Sequence, residues 1–323
     1  MKLATFEVET TVGRKRRVGV KRDGADELVD VTAAYAAALD EADEDDPVAV
    51  AEAHAPADMQ TFLERGDRAL KAAREALEHV DGTRSSERSS EGGRLVFSLE
   101  EIDLLPPLPR PNTLRDFMVF EEHVKNTGGD PPDIWYDVPI YYKGNPNPDV
   151  TFGPDDDVPY PSYSESLDYE LEVAAVIGKE GRDIPAEEAN DYIAGYTVFN
   201  DFSARDTQLE EMQGQLGPAK GKDFANSFGP YLVVSDDFDV TEARMTAEVD
   251  GEEWSEGVAG EMHHSFAEII EHVSQDETLY PGDVLGSGTV GGGCGLELGR
   301  FLEKGNTVTL HVEGIGTLEN TVV

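Results

Sequence analysis

The sequence predicts a β-dominated α+β chain, with a small N-terminal α+β domain ahead of a larger domain built mostly from strands. Three observations predict it. Short apolar runs alternate with a period of two and are bounded by Gly, Pro, Asn and Asp, the pattern of half-buried strands. Between residues 31 and 80 the pattern changes to Ala-rich segments with helical spacing. A polar, Ser- and Gly-rich stretch, DGTRSSERSSEGG (81–93), then separates the two regions as a surface loop or interdomain linker. The expected organisation is residues 1–80 as the small domain, 81–105 as linker and entry strand, and 106–323 as the larger domain. A length of 323 residues accommodates one large or two modest domains.

Element by element, LATFEVET and RKRRVGVKR read as paired strands joined by a turn at Gly13. DGADELVDV adds a turn and a third short strand. AAYAAALDEA and ADMQTFLERGDRALKAAREALEHV read as helical, with Met59, Phe62, Leu63, Leu70, Ala73 and Leu77 at helical spacing. LVFSLEEIDLLPPLPRPN is an extended, proline-rich entry to the second region. There the candidate strands are LEVAAVIGK, AGYTVFND, GPYLVVSD, RMTAEVDGEE, DVLGSGTV, NTVTLHVEG and GTLENTVV, and SFAEIIEHVS (265–274) is the clearest helix.

Composition excludes several classes of function. The net charge of −41 leaves no basic footprint for nucleic acid or anionic lipid. Hydrophobic residues make up 39% of the chain, enough for a core, so the acidity is not that of a disordered tail. With a single cysteine, Cys294, neither an intrachain disulfide nor a Cys-rich zinc site can form. No apolar run approaches the roughly 20 residues of a membrane span, and MKLATFEVETTVGRKRR lacks an apolar signal core, so a cytoplasmic protein is expected. The acidic excess is spread along the chain and dense in EADEDD (41–46), PDDD (154–157) and SDDFD (235–239). Such a surface repels itself in dilute buffer, whereas molar salt shortens the screening length to about 3 Å. Adaptation to a salt-rich cytoplasm is the expectation.

Candidate chemistry centres on carboxylates. Glu170 and Glu172 lie two apart in LDYELEVAAVIG, so on a strand they project from one face, beside an apolar run. Two like charges at that spacing either face solvent or share a cation, and a hard Mg²⁺, Mn²⁺ or Ca²⁺ suits oxygen ligands. Asp201 ends the apolar run GYTVF, as a rigidly held strand-terminal carboxylate or as part of a turn. Arg205 and Gln208 follow it, sharing a face if a helical turn begins at Asp201. Lys222 sits in the glycine-bearing loop KGKDF, either solvated or facing an anion. Asp116 and His123 lie seven apart in LRDFMVFEEHVKN and share a face if the segment is helical; His123 is then a candidate base or a surface histidine. The glycines of GSGTVGGGCG (286–295) lack the helix that a nucleotide-binding loop needs.

In this order along the chain, RDFMVFEEH, YELEVA, VFNDFSARDTQ, GKDF, LYPGDVLGSGT and CGLEL resemble the motifs of the fumarylacetoacetate hydrolase family, from about residue 106 to the end. The resemblance implies a mixed, rolled-up β-sheet catalytic domain, commonly dimeric, working on a small keto acid. It implies that Asp116, Glu170, Glu172 and Asp201 hold a divalent metal, Mg²⁺ foremost. It makes His123 the catalytic base, Glu297 its orienting partner and Lys222 an oxyanion donor, with Arg205, Gln208, Tyr142 and Thr289 as substrate contacts. Three departures bear on the substrate. The spacing from Asp201 to Lys222 is one residue longer than in fumarylacetoacetase, Met212 replaces a substrate-binding tyrosine, and Pro132 falls near the place of a second arginine. The implied reaction is hydrolysis of the C–C bond of a 1,3-diketo acid, an acylpyruvate or fumarylacetoacetate-like compound. Dehydration of a 2-keto-3-deoxy sugar acid, keto-acid decarboxylation, isomerisation, and a non-catalytic metal- or ligand-binding module are the alternatives.

The acidic surface generates one expectation measurable without a substrate: the melting temperature of the purified protein rises as KCl goes from millimolar to molar. Full stability and activity in low-salt buffer, with no gain from KCl, would rule out salt adaptation.

Overall fold

A computed structural model describes residues 1–11, 13–82 and 93–323. The expected linker falls mostly on residues 83–92, outside the described residues, while residues 81 and 82 complete the preceding helix.

The N-terminal strands form as their alternation predicts. Lys2–Thr10 and Gly13–Lys21 make a hairpin, with Leu3 opposite Val20 and Thr10 opposite Gly13, and Glu27–Asp30 pairs outside it. Asp30 then caps the next helix, its carboxylate accepting a hydrogen bond from the Ala33 N–H, which satisfies one of the free donors at a helix start. The helical stretch is four helices, Val31–Glu41, Pro47–His54, Met59–Glu64 and Asp67–Gly82. Pro47 opens the second, where its missing N–H costs nothing. Gly66, at φ 54, turns the chain between the third and fourth.

Among the described residues, twelve strands form one mixed sheet. Its main path runs Val96–Ser98, Glu27–Asp30, Gly13–Lys21, Lys2–Thr10, Asn226–Val234, Ile193–Asp201, Leu171–Ile177, Asp283–Gly286, Thr113–Phe117, Tyr141–Gly144. The path is continuous across the two regions read from the sequence, because Lys2 and Leu3 pair with Val233 and Leu232. The two faces bury different cores. Along Leu171–Ile177, Val173, Ala175 and Ile177 point to one core, while Ala174 and Val176 point to the other. The first core is closed by a five-stranded sheet (Met245, Ala247, Leu310, Val312, Leu318) and by helix Phe266–Ser274 (Phe266, Ile269, Ile270). The second is closed by the N-terminal helices, through Ala34, Phe62, Ala69, Ala73, Ala76 and Val80.

Two segments depart from the sequence reading. Asp116 and His123 do not share a helix: Thr113–Phe117 is a strand, and the helix begins only at Glu121. Leu114, Phe117, Val119 and Phe120 are all buried, so tertiary burial outweighs the helical spacing. DVLGSGTV is a strand only to Gly286, because Gly288 adopts φ 79 and turns the chain out of the ladder.

Phe62 is 1% exposed and belongs to the core shared by the N-terminal helices and the sheet. Phe62→Ala is expected to cost about 3–5 kcal/mol of unfolding free energy, measured by urea denaturation of the full chain.

Candidate active site

Three neighbouring regions of the large sheet supply the four carboxylates. Asp116 lies on Thr113–Phe117, Glu172 on Leu171–Ile177, and Asp201 ends Ile193–Asp201. Glu170 stands one residue before its strand. Register brings them together. Leu171 pairs with Asn200 and Glu172 with Phe199, so Glu170 falls beside Asp201. Gly286 pairs with Ala174 on one side and with Asp116 on the other. Leu114, Ala174 and Phe199, each two residues from a carboxylate, all belong to the core under the N-terminal helices. With a period of two, the acids therefore occupy that same face. One oxygen from each lies within 4.8 Å of the others, and none of the four residues is more than 5% exposed.

This crowding sets the electrostatics. Burial, then the Asp201 charge, holds Asp116 well above the usual carboxylate range. Burial followed by Asp116, Glu170 and Asp201 does the same to Glu172, and burial raises Asp201 despite Lys222. Glu170 goes the other way: burial opposes its ionisation, but Lys222, Arg205 and His123 outweigh it. Lys222 Nζ donates to Glu170 Oε2 and Asp201 Oδ2, each at 2.6 Å. Asp116 Oδ1, Glu172 Oε1 and Asp201 Oδ1 are buried without a hydrogen-bond donor. Buried acceptors of that kind are costly unless a cation or donor meets them, so a hard divalent ion fits this oxygen set.

Glycines make the approach possible. A Cβ on Gly286 would lie 2.4 Å from Asp116 Oδ1 and 2.9 Å from the Phe199 ring. One on Gly288 would lie 2.0 Å from the Phe117 carbonyl oxygen; with no such atom in the way, the Gly288 N–H donates to Glu172 Oε2 at 3.0 Å.

His123 sits in the first turn of helix Glu121–Gly128, buried, with its Nδ1 donating to Glu297 Oε1 at 2.7 Å. The other Glu297 oxygen accepts from Asn126 Nδ2 (2.7 Å) and the Gly292 N–H (2.8 Å). Burial opposes its ionisation, but these bonds, led by that of His123, hold the Glu297 carboxyl below its ordinary range. An ionised Glu297 selects the neutral tautomer that carries its proton on Nδ1, in which Nε2 is the acceptor. The pair adjoins the carboxylates: Glu170 and Cys294 form a backbone bridge, and Cys294 Sγ lies 3.5 Å from Glu297 Oε1.

The remaining expected residues divide. The Tyr142 hydroxyl donates to Asp201 Oδ2 at 2.5 Å. Arg205 turns to protein partners, with Nε donating to Asp168 (2.7 Å), one terminal nitrogen donating to Gln208 Oε1 (3.0 Å) and the other in ion-pair range of Glu170 (2.8 Å) without a hydrogen bond. Its helix starts at Arg205, while Asp201 belongs to the strand before it. Thr289 is buried in the loop that follows Gly288.

Three residues at the site escape the sequence reading. Asp168, 0% exposed, stands two before Glu170, so the same alternation could have flagged it. Asn126 follows His123 by three residues, one helical turn. Glu211 closes the loop leading to Lys222, its carboxylate accepting from the Ala219, Lys220 and Gly221 N–H groups.

In chelator the crowded carboxylates destabilise the fold as pH rises. Burial and the neighbouring charges raise Glu172 and Asp116 above the ordinary carboxylate range in the folded state, so their contribution to stability is present at acid pH and is lost as pH rises beyond that range. Glu172→Gln is expected to flatten this fall, and excess Mg²⁺ or Mn²⁺ to restore the parent at neutral pH; melting curves across pH measure both. Gly286→Ala is expected to displace Asp116 and weaken Mn²⁺ binding by about tenfold or more, read by calorimetric titration.

Comparison with known proteins identifies the family. Residues 112–323 match the family model described as fumarylacetoacetate (FAA) hydrolase C-terminal. The protein Rv2993c of Mycobacterium tuberculosis is 34% identical over 261 residues, which is 80% of this chain and 91% of that protein. Oxaloacetate tautomerase YisK of Bacillus subtilis is 32% identical over 272 residues, 83% of this chain and 87% of that one. The solved structure of a fumarylacetoacetate hydrolase from Exiguobacterium antarcticum shares the fold, with a TM-score of 0.72 over 99% of both chains at 24% identity. With two-thirds of its length under the family model and a strand-rich mixed fold to match, the chain belongs to the fumarylacetoacetate hydrolase family.

Proposed function

We propose that the chain is a divalent-metal-dependent hydrolase that cleaves the C–C bond of a 1,3-diketo acid of the acylpyruvate class. The observation that carries this reading is the His123–Glu297 pair beside four buried carboxylates with unsatisfied oxygens. Asp116, Glu170, Glu172 and Asp201 would hold the cation, Mg²⁺ foremost and Mn²⁺ or Ca²⁺ as alternatives. When bound it would supply Lewis-acid polarisation of the keto acid's oxygens. His123 takes a proton from water at Nε2 while Glu297 stabilises the imidazolium that results. The water oxygen bonds to the distal carbonyl carbon, the adjacent C–C bond breaks, and its electron pair leaves on the pyruvate-derived enolate, which His123 can reprotonate. Lys222 and Gln208 donate to the developing oxyanion; one such donor is worth about 10²–10³ in rate.

A second reading is keto–enol tautomerisation of an oxaloacetate-like acid. The likeness to an oxaloacetate tautomerase over 83% of this chain favours it. There His123 would take the proton from the enol oxygen and return it to carbon, with no water consumed. The rest of the proposal is a cytoplasmic, salt-adapted homodimer in which residues 1–80 support the catalytic unit of residues 106–323 through the shared core.

A panel of acylpyruvates and oxaloacetate, with Mg²⁺ or Mn²⁺ in high KCl, tests the proposal. Loss of diketone absorbance supports hydrolysis, accelerated enol decay of oxaloacetate alone supports tautomerisation, and no change in either points to a non-catalytic binding module. His123→Ala is expected to abolish turnover while leaving Mn²⁺ affinity nearly unchanged by calorimetry; retained hydrolysis would exclude His123 as the base.

A further inference from the structure

Asp168 is fully buried, and each of its four hydrogen-bond partners is a donor. Its Oδ1 accepts from the Gly295 N–H (2.7 Å) and the Tyr169 N–H (3.0 Å). Its Oδ2 accepts from Arg205 Nε (2.7 Å) and the Leu296 N–H (3.0 Å). Gly295 and Leu296 open the short helix Gly295–Leu298 that carries Glu297, and so orient His123. Arg205 in turn contacts Glu170 at 2.8 Å. A Cβ on Gly295 would lie 2.6 Å from Asp168 Oδ1 and 2.0 Å from the Arg300 carbonyl, so the helix start is built around this carboxylate.

We propose that Asp168 is a positioning residue that locks the carboxylate cluster and the His123–Glu297 pair into a single register. The inference rests on reading that cluster as a cation site and that pair as the base. Only an ionised carboxylate satisfies donors on both of its oxygens. An amide in its place must turn its NH₂ toward either Arg205 and Leu296 or Gly295 and Tyr169, a donor-to-donor contact in a buried site. One half of the site therefore shifts relative to the other. A residue serving packing alone would move neither metal affinity nor the imidazole hydrogen bond.

Asp168→Asn in the full chain provides the test, with two readouts that need no substrate. The first is calorimetric titration with Mn²⁺, expected to weaken about 10–100-fold. The second is the His123 Nδ1 proton resonance of the metal-free protein, expected to shift or broaden as the bond to Glu297 loosens. In metal-saturated enzyme, kcat is expected to fall about 10–100-fold with KM within about threefold. A folded variant with both substrate-free readouts unchanged, or with only one of them changed, overturns the proposal. Should Asp168→Asn fail to fold, Arg205→Lys severs the same link from the other side, since an ammonium cannot reproduce the fork that spans Asp168 and Glu170. It is expected to move the Nδ1 resonance without touching the pair, and an unmoved resonance overturns the proposal. If both readouts move together while no keto acid is turned over, the functional reading fails and the positioning role stands.

Discussion

Four carboxylates within 4.8 Å of one another, out of water, form the constraint around which the site is arranged. Anions in that position repel, and burial penalises each ionised form. The fold answers in three ways. Lys222 bridges Glu170 and Asp201, Arg205 flanks Glu170, and Gly288 offers a backbone donor to Glu172. Three oxygens remain unsatisfied even so. The protein holds this arrangement because the acids sit on, or one residue before, strands locked by packing on both faces, where the side chains cannot swing apart into solvent.

The same sheet divides labour along its strands. Toward one end, the face bearing the acids is apolar and covered by the N-terminal helices through Phe62, Ala69 and Ala73. Toward the other it turns acidic at Glu172, Glu170, Asp201 and Asp116. The helices thus rigidify the strands whose far ends present the acids, without supplying a carboxylate to the cluster. Glycines at 286 and 288 let backbone and carboxylate approach more closely than any side chain would allow.

Much of this is legible in the sequence, and the gaps have physical causes. Alternation around Glu170 and Glu172 gives their shared face directly, because a strand's period is fixed by its backbone. The N-terminal hairpin and helix Phe266–Ser274 follow from local patterns alone. The segment around Asp116 does not: seven residues also suits two helical turns, and only burial of Leu114, Phe117 and Phe120 makes it strand then helix. Arg205 looks like a substrate contact from its motif, but its donors meet Asp168, Glu170 and Gln208. Asp168 itself is one acid among 67 Asp and Glu, and its importance comes from partners 37 and 127 residues away along the chain.

The pairing of Thr113–Phe117 with Asp283–Gly286 has a consequence for biosynthesis. The hairpin carrying Glu172 and Asp201 can assemble from neighbouring sequence as the polypeptide leaves the ribosome. The strand of Asp116 has no inner neighbour until about 170 further residues have been translated, and Glu297 emerges later still. Long-range pairing of this kind closes late. The emerging chain therefore avoids the full electrostatic strain of its own acidic face until almost every residue needed to contain that strain has been made.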